Sequence, residues 1–163
     1  MNRDLKTVLV NIANALGVPQ SDVEADHGRW HLYERVIESS NHLDLLRKAV
    51  ALEEDTTLAT SVVLRMLELV TDDQQDDWIV QLAPNNRAYS QRRAGEIRIL
   101  RRARVGAVYP EEIASQVGDW TDWLQLRLVE NLGNRASLAI LSDQGRTKRI
   151  RNSAAQRLRA LIN

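Results

Sequence analysis

With 163 residues, 44% of them apolar, the chain carries enough material for one compact domain built on a single core. It contains no cysteine, which excludes disulfides, thiol nucleophiles and thiolate metal sites together. Its 22 basic and 22 acidic residues cancel overall but not locally: residues 1–84 hold 7 Lys/Arg against 15 Asp/Glu and residues 85–163 hold 15 against 7, an acidic half followed by a basic half.

Seven glycines and three prolines are too few for a turn-dense β architecture, so the expectation is an all-α fold. Leu5, Val8, Leu9, Ile12 and Leu16 recur at helical spacing before Gly17 and Pro19, defining a first helix. Ser21 with Glu24 forms the capping box of a second helix through Trp30, Tyr33, Val36 and Ile37, which His27-Gly28 divides into two pieces. A third helix follows Asn41 through Leu43, Leu46, Ala49 and Val50. A fourth follows Asp55-Thr56 through Leu58, Val62, Met66, Leu69 and Val70, the two forming an antiparallel pair. Asp72, Asp73, Asp76 and Asp77 open a short fifth helix through Trp78, Ile79 and Leu82, at the end where the dipole favours acids, and Pro84 closes it.

Tyr89, Arg93, Ile97, Leu100 and Val105 mark a sixth helix whose outward faces are almost entirely arginine. Pro110 starts a seventh through Ile113, Ala114 and Val117, stopped by Gly118. Asp119 or Thr121 caps an eighth through Trp123, Leu124, Leu128 and Leu132, stopped by Gly133. Asn134 caps a ninth through Leu138 and Leu141, and a tenth runs from Thr147 to Ile162. The connections are short, as in helices packed side by side.

The amino terminus, Met1-Asn2-Arg3-Asp4, lacks the basic segment and apolar run of a secretory signal, and no stretch approaches about 18 uncharged apolar residues. The expectation is a cytoplasmic protein without a membrane role. Lysine occurs only at Lys6, Lys48 and Lys148, a bias toward arginine that fits a GC-rich coding genome.

Self-comparison gives one internal echo: Asp77-Trp78-Ile79 and Asn86-Arg87-Ala88 return as Asp122-Trp123-Leu124 and Asn134-Arg135-Ala136, offsets of 45 and 48 residues. Leu138, Leu141 and Asp143, followed by Ile150-Arg151, Ala154 and Leu158, resemble the first helix, inter-helix aspartate and second helix of a HEAT-like unit, including the bacterial leucine-rich repeat variant. Leu126-Arg127 and Asn131 resemble the tail of a preceding unit, with Leu132-Gly133 where proline is usual. The resemblance covers about Thr121 to Leu158. It implies stacked antiparallel helix pairs, a right-handed HEAT-like α-solenoid, and a scaffold for protein or nucleic-acid ligands; the alternative is an irregular single-core helical bundle over residues 1–163.

Residues that could carry chemistry are few. His27 and His31 are four apart, with Glu24, Glu34 and Glu38 as nearby carboxylates, but nothing accompanies them as a general base, and surface histidines account for the spacing better than a metal. The acidic run lacks the alternating ligands and glycine of a calcium loop. No glycine-rich phosphate loop or nucleophile elbow is present, and His42 has no Ser or Asp partner at a telling spacing. The reading is therefore non-enzymatic, with no metal and no cofactor.

Partner surfaces are better supported. Trp120, Trp123, Arg127 and Arg151 are the expected protein-binding ridge, because Trp and Arg dominate interface hot spots. For nucleic acid the candidates are Arg92, Arg93, Arg98, Arg101, Arg102 and Arg104 in one cluster and Arg146, Lys148 and Arg149 in the other, with further arginines at Arg87, Arg151, Arg157 and Arg159. Glu112-Ile113-Ala114, Val117-Gly118 and Leu124 reproduce part of a helix-turn-helix, although Asp119 and Arg127 stand where apolar residues are wanted. The opposed charges of the halves also suit head-to-tail self-association.

Overall fold

A computed structural model describes residues 2–19 and 26–161. Among them every regular element is helical: α1 Arg3–Leu16, α2 Asp26–Ser39, α3 Leu43–Leu52, α4 Thr56–Leu69, α5 Gln75–Ile79, α6 Arg87–Arg104, α7 Pro110–Gln116, α8 Asp122–Asn131, α9 Arg135–Gln144 and α10 Lys148–Ala160, with 3-10 turns at Asp72–Gln74 and Pro84–Asn86. No described helix is long and apolar enough to cross a membrane. Ser21 and Glu24 lie outside the described residues.

The helix ends are set by the expected signals. Gly17 terminates α1 in the left-handed conformation (φ 65°), its N–H donating to Ala13 and Asn14 carbonyls. Asp55 accepts from the Thr57 and Leu58 amides, Asn134 from Ala136 and Ser137, and Thr147 from Ile150. Thr121, not Asp119, caps α8.

Three elements differ from expectation. His27-Gly28 lies within α2, which is continuous from Asp26 to Ser39, while the piece expected before it lies outside the described residues; a glycine in a helix costs about 1 kcal/mol, which burial of Leu32, Tyr33, Val36 and Ile37 offsets. The fifth helix begins as a 3-10 turn and ends at Ile79, although Leu82 beyond it is still buried. Val105 is not on the buried stripe of α6. Gly106 (φ 73°) turns the chain back so that Ala107 N donates to Arg102 O, which leaves Val105 80% exposed.

The described residues group into two compact units, Met1–Ala94 and Gly95–Asn163, so α6 contributes Arg87–Ala94 to the first and Gly95–Arg104 to the second. Within the first unit α1 packs on α2 and α3, α2 on α3 and α4, and α3 on α4, with α5 against α4. One buried polar cluster of this unit is centred on the Glu53 carboxylate, whose side chain is 1% exposed. Glu53 accepts from Arg29 Nε at 3.0 Å and Tyr33 Oη at 2.9 Å, and its other oxygen accepts from the Asp55 amide at 3.1 Å. This ties α2 to the α3–α4 turn.

In the second unit α7 packs on α9, α8 on α10, and α9 on α10. Cross-links set the direction of the outer helices. At one end Thr121, at the start of α8, donates its amide and hydroxyl to Glu96 of α6, and Arg146, just before α10, meets Asp122 at 3.3 Å. At the other end Arg104 Nε donates to Asn131 Oδ1 at 3.3 Å and Arg157 Nε donates to Leu132 O at 3.3 Å. Hence α6 (from Gly95), α8 and α10 run parallel as one layer, with α7 and α9 as the other. Leu100, Ala103, Leu124, Leu128, Ile150 and Ala154 from the first layer meet Ile113, Leu138 and Leu141 from the second in a common core.

Buried amides and one guanidinium lock the turns. Gln125, fully buried, donates to Val117 O at 2.8 Å and Trp120 O at 3.0 Å while accepting from Arg146 N at 3.0 Å. Gln75, also fully buried, donates to Leu67 O at 3.2 Å, and Arg151 donates to Gly145 O at 2.6 Å. Each stands four residues after a threonine at a helix start: Thr71, Thr121 and Thr147. Gln125→Leu removes the partner of three backbone groups at once, so urea denaturation is expected to show a loss of about 2–3 kcal/mol; a loss below about 0.5 kcal/mol would mean that water replaces the amide.

Candidate functional site

The sequence left open whether the two arginine clusters share a side of the molecule. Within the second unit they do. The layer α6 (from Gly95), α8 and α10 carries ten basic residues (Arg98, Arg101, Arg102, Arg104, Arg127, Lys148, Arg149, Arg151, Arg157, Arg159) and three acidic ones (Glu96, Asp122, Glu130). The opposing α7 and α9 carry one basic residue, Arg135, against Glu111, Glu112 and Asp143. The apolar residues of both layers are spent on the core between them, and seven of the ten basic residues, Arg102, Arg104, Arg127, Lys148, Arg149, Arg157 and Arg159, are exposed. Two of the three acids of the basic layer are also engaged: Glu96 is buried against Thr121, and Asp122 faces Arg146.

The arginines divide by what they hold. Arg102 makes a forked pair with Glu112 at 2.9 and 2.7 Å and also donates to Ala107 O at 2.9 Å, so its guanidinium is held still more firmly in the charged form by the Glu112 hydrogen bonds. Arg104, Arg151 and Arg157 donate to Asn131, Gly145 and Leu132 respectively. Arg98 and Arg101 are half-buried, while Arg127, Lys148, Arg149 and Arg159 are exposed. In the first unit Arg92 is exposed, and Arg93 donates to Tyr89 Oη at 3.0 Å with its guanidinium over that ring.

Comparison with models of known families, with curated proteins and with solved structures gives no match.

Of the expected protein-binding ridge, the structure keeps only part. Trp120 is 6% exposed and sits in the second core, filling space between helices where an exposed anchor was expected. Arg151 is half-buried and occupied by Gly145 O. Trp123 and Arg127 do come together, on adjacent turns of α8, with the guanidinium carbon 5.6 Å from the ring centroid. The tryptophans thus split: Trp78 and Trp120 are core, Trp30 and Trp123 half-buried.

The helix-turn-helix reading fails on geometry. Ala114 is exposed, a Cβ on Gly118 would meet nothing within 4 Å, and Leu124, Gln125, Leu128 and Val129 of the would-be recognition helix are buried. No close helix crossing exists there for small residues to permit. The internal echo at 45 and 48 residues is likewise not a structural step. In the second unit α7 to α9 and α8 to α10 advance by 25 and 26 residues from helix start to helix start. Three of the four echoed segments are helix-start signals: Asn86-Arg87-Ala88 opens α6, Asn134-Arg135-Ala136 opens α9, and Asp122-Trp123 opens α8, whereas Asp77-Trp78-Ile79 ends α5. Asp143 lies in the last turn of α9, not between helices.

His27 and His31 do share a face of α2, with ring centroids 6.2 Å apart, and His31 Nδ1 lies 3.3 Å from Glu34 Oε2 on the surface. Among the described residues no group of three or more His, Asp or Glu comes together as metal ligands. The acidic run serves its own helix start, with Thr71 and Gln74 closing a capping box and the Thr71 hydroxyl holding Asp73 below the usual carboxylate range. In the first unit an open groove of about 500 Å³ lies along α4, but the Thr60 and Ser61 hydroxyls that line it donate to the Thr56 and Thr57 carbonyls.

Proposed function

We propose that the chain is a non-catalytic, HEAT-like stacked-helix module whose second unit binds nucleic acid through the layer formed by α6, α8 and α10. The observation that carries this reading is the segregation of ten basic residues against three acidic ones onto one layer of three parallel helices. A polyanion following that layer meets cations on each helix, and every phosphate neutralised releases condensed counterions. The stacked-helix part is supported by the alternation of packing partners, α7 with α9 and α8 with α10 in the second unit, α1 with α3 and α2 with α4 in the first.

The start of α10 adds a second argument. Lys148 and Arg149 sit in its first turn, which holds no acidic residue, at the positive end of the helix dipole, where a cation is disfavoured by about 0.3–1 kcal/mol. An anion arriving there relieves that repulsion. A protein-binding ridge, by contrast, has lost Trp120 to the core and Arg151 to Gly145.

Fluorescence anisotropy with a labelled oligonucleotide tests the reading. Affinity is expected to fall steeply with salt, log K against log salt having a slope of about −0.7 to −0.9 per phosphate contacted. Lys148→Glu with Arg149→Glu should flatten that slope by about two contacts, whereas Arg135→Glu on α9 should leave it unchanged. The double substitution places acids where the dipole favours them, so lost binding cannot be put down to a lost helix. Absence of binding at low salt, or an equal effect of the α9 substitution, overturns the proposal.

A further inference from the structure

We propose that Arg127, backed by Trp123, is a base-stacking platform, so that the second unit takes single-stranded nucleic acid in preference to duplex. The inference rests on the nucleic-acid reading above and adds the form of the ligand. Trp123 is the second residue of α8 and packs against the core of the unit, which fixes its ring. One turn on, the exposed Arg127 lays its guanidinium over that ring at 5.6 Å.

Arg127 differs from the other arginines of its layer in what it holds. Arg102 is forked onto Glu112, and Arg104, Arg151 and Arg157 are tied to Asn131, Gly145 O and Leu132 O. The Arg127 guanidinium has no carboxylate within ion-pair distance among the described residues, and its described contact is the tryptophan ring. An exposed guanidinium held near an indole offers unpaired bases a planar cation to stack on.

The phosphate contacts lie where a strand stacked there needs them. Trp123 follows Asp122, which meets Arg146 at 3.3 Å, and Lys148 and Arg149 follow Arg146 at the start of α10. The stack and these cations are therefore on neighbouring, parallel helices, about 8–10 Å apart by ordinary helix packing. Duplex can use the cations, but its base faces are closed within the stack. Only a single strand gains from both features.

The full chain is titrated with labelled oligothymidylate and oligouridylate of about 16 nucleotides and with duplex of equal length. At least one single strand is expected to bind more tightly than duplex, the two arms separating DNA from RNA as its source. Arg127→Lys keeps the charge and removes the planar surface: it should weaken single-strand binding by roughly five- to tenfold and leave duplex affinity and the salt slope unaltered. Trp123→Leu should reproduce that pattern; its circular dichroism melt establishes that the variant is folded, and Arg127→Lys, being on the surface, carries the test if it is not. Equal weakening of single strand and duplex, or no weakening of either, overturns the platform while leaving the basic layer in place. Failure of every probe to bind at low salt overturns both readings.

Discussion

Glu53→Ala is expected to destabilise the chain by about 3–5 kcal/mol, the cost of breaking a buried ion pair from one side. The Glu53 side chain is 1% exposed and that of Arg29 8%, so neither has water to fall back on when the other is removed. The same deletion leaves the fully buried Tyr33 hydroxyl and the Asp55 amide without their acceptor. Glu53→Gln keeps a neutral acceptor at the centre and should cost less than Glu53→Ala; equal losses would mean that the charge, not the hydrogen bonds, carries the effect. Tyr33 supplies a second readout. Burial first, then the Glu53 charge and hydrogen bond, push its phenol well above the ordinary tyrosine range, with Arg29 opposing. Its folded pKa is raised, so its contribution is fully present below about pH 10, where the unfolded side chain titrates, and falls by up to about 1.4 kcal/mol per pH unit above it. Subtracting the stability profile of Tyr33→Phe isolates this slope. A Tyr33→Phe profile that parallels wild type through pH 11, reckoned by the same tyrosine pKa, would show that the hydroxyl is free to ionise.

The helices were legible because their signals are local. Period, caps and stops at Gly17, Asp55, Thr121, Asn134 and Thr147 act within a few residues of where they stand, so reading along the chain recovers them. What decides function here is not local. Charge counting found two arginine clusters but not that α6 and α10 flank α8, because that follows from alternate helices packing together through Glu96–Thr121 and Asp122–Arg146. Trp120 and Trp123 are three residues apart and equally apolar, yet Trp120 precedes the Thr121 cap and turns into the core while Trp123, already on α8, stays half-buried. The buried glutamines passed unread for a related reason. Gln75 and Gln125 look like ordinary helix formers, and only the recurrence of a threonine four residues earlier, at Thr71 and Thr121, could have marked them.

Glycines show the same limit most sharply, and they set the other large expected effect. Gly118 and Gly133 read as helix stops, yet neither has a positive φ and a Cβ on either would meet nothing within 4 Å. Alanine at those positions should be neutral or stabilising by up to about 1 kcal/mol, through a less flexible unfolded chain. Gly145 carries no such signal, and its backbone is in a region open to any residue (φ −55°, ψ 137°). Its constraint is space. A Cβ there would lie 2.6 Å from the Leu141 carbonyl oxygen and 2.7 Å from Ile150 Cγ2, with Arg151 Cγ at 3.3 Å. The first of these is backbone at the end of α9; the second belongs to a fully buried, β-branched side chain with little rotamer freedom. Relief therefore requires α9 and α10 to separate, which also stretches the Arg151–Gly145 and Gln125–Arg146 hydrogen bonds that close the turn between them. Gly145→Ala is expected to cost about 3 kcal/mol, at the upper end of overpacking penalties, and Ile150→Leu alongside it should recover part of the loss, because leucine has no Cγ2 branch at the clash. Denaturation midpoints for the two single variants and the double variant form the cycle that checks this. Strict additivity would place the strain elsewhere than between these two residues.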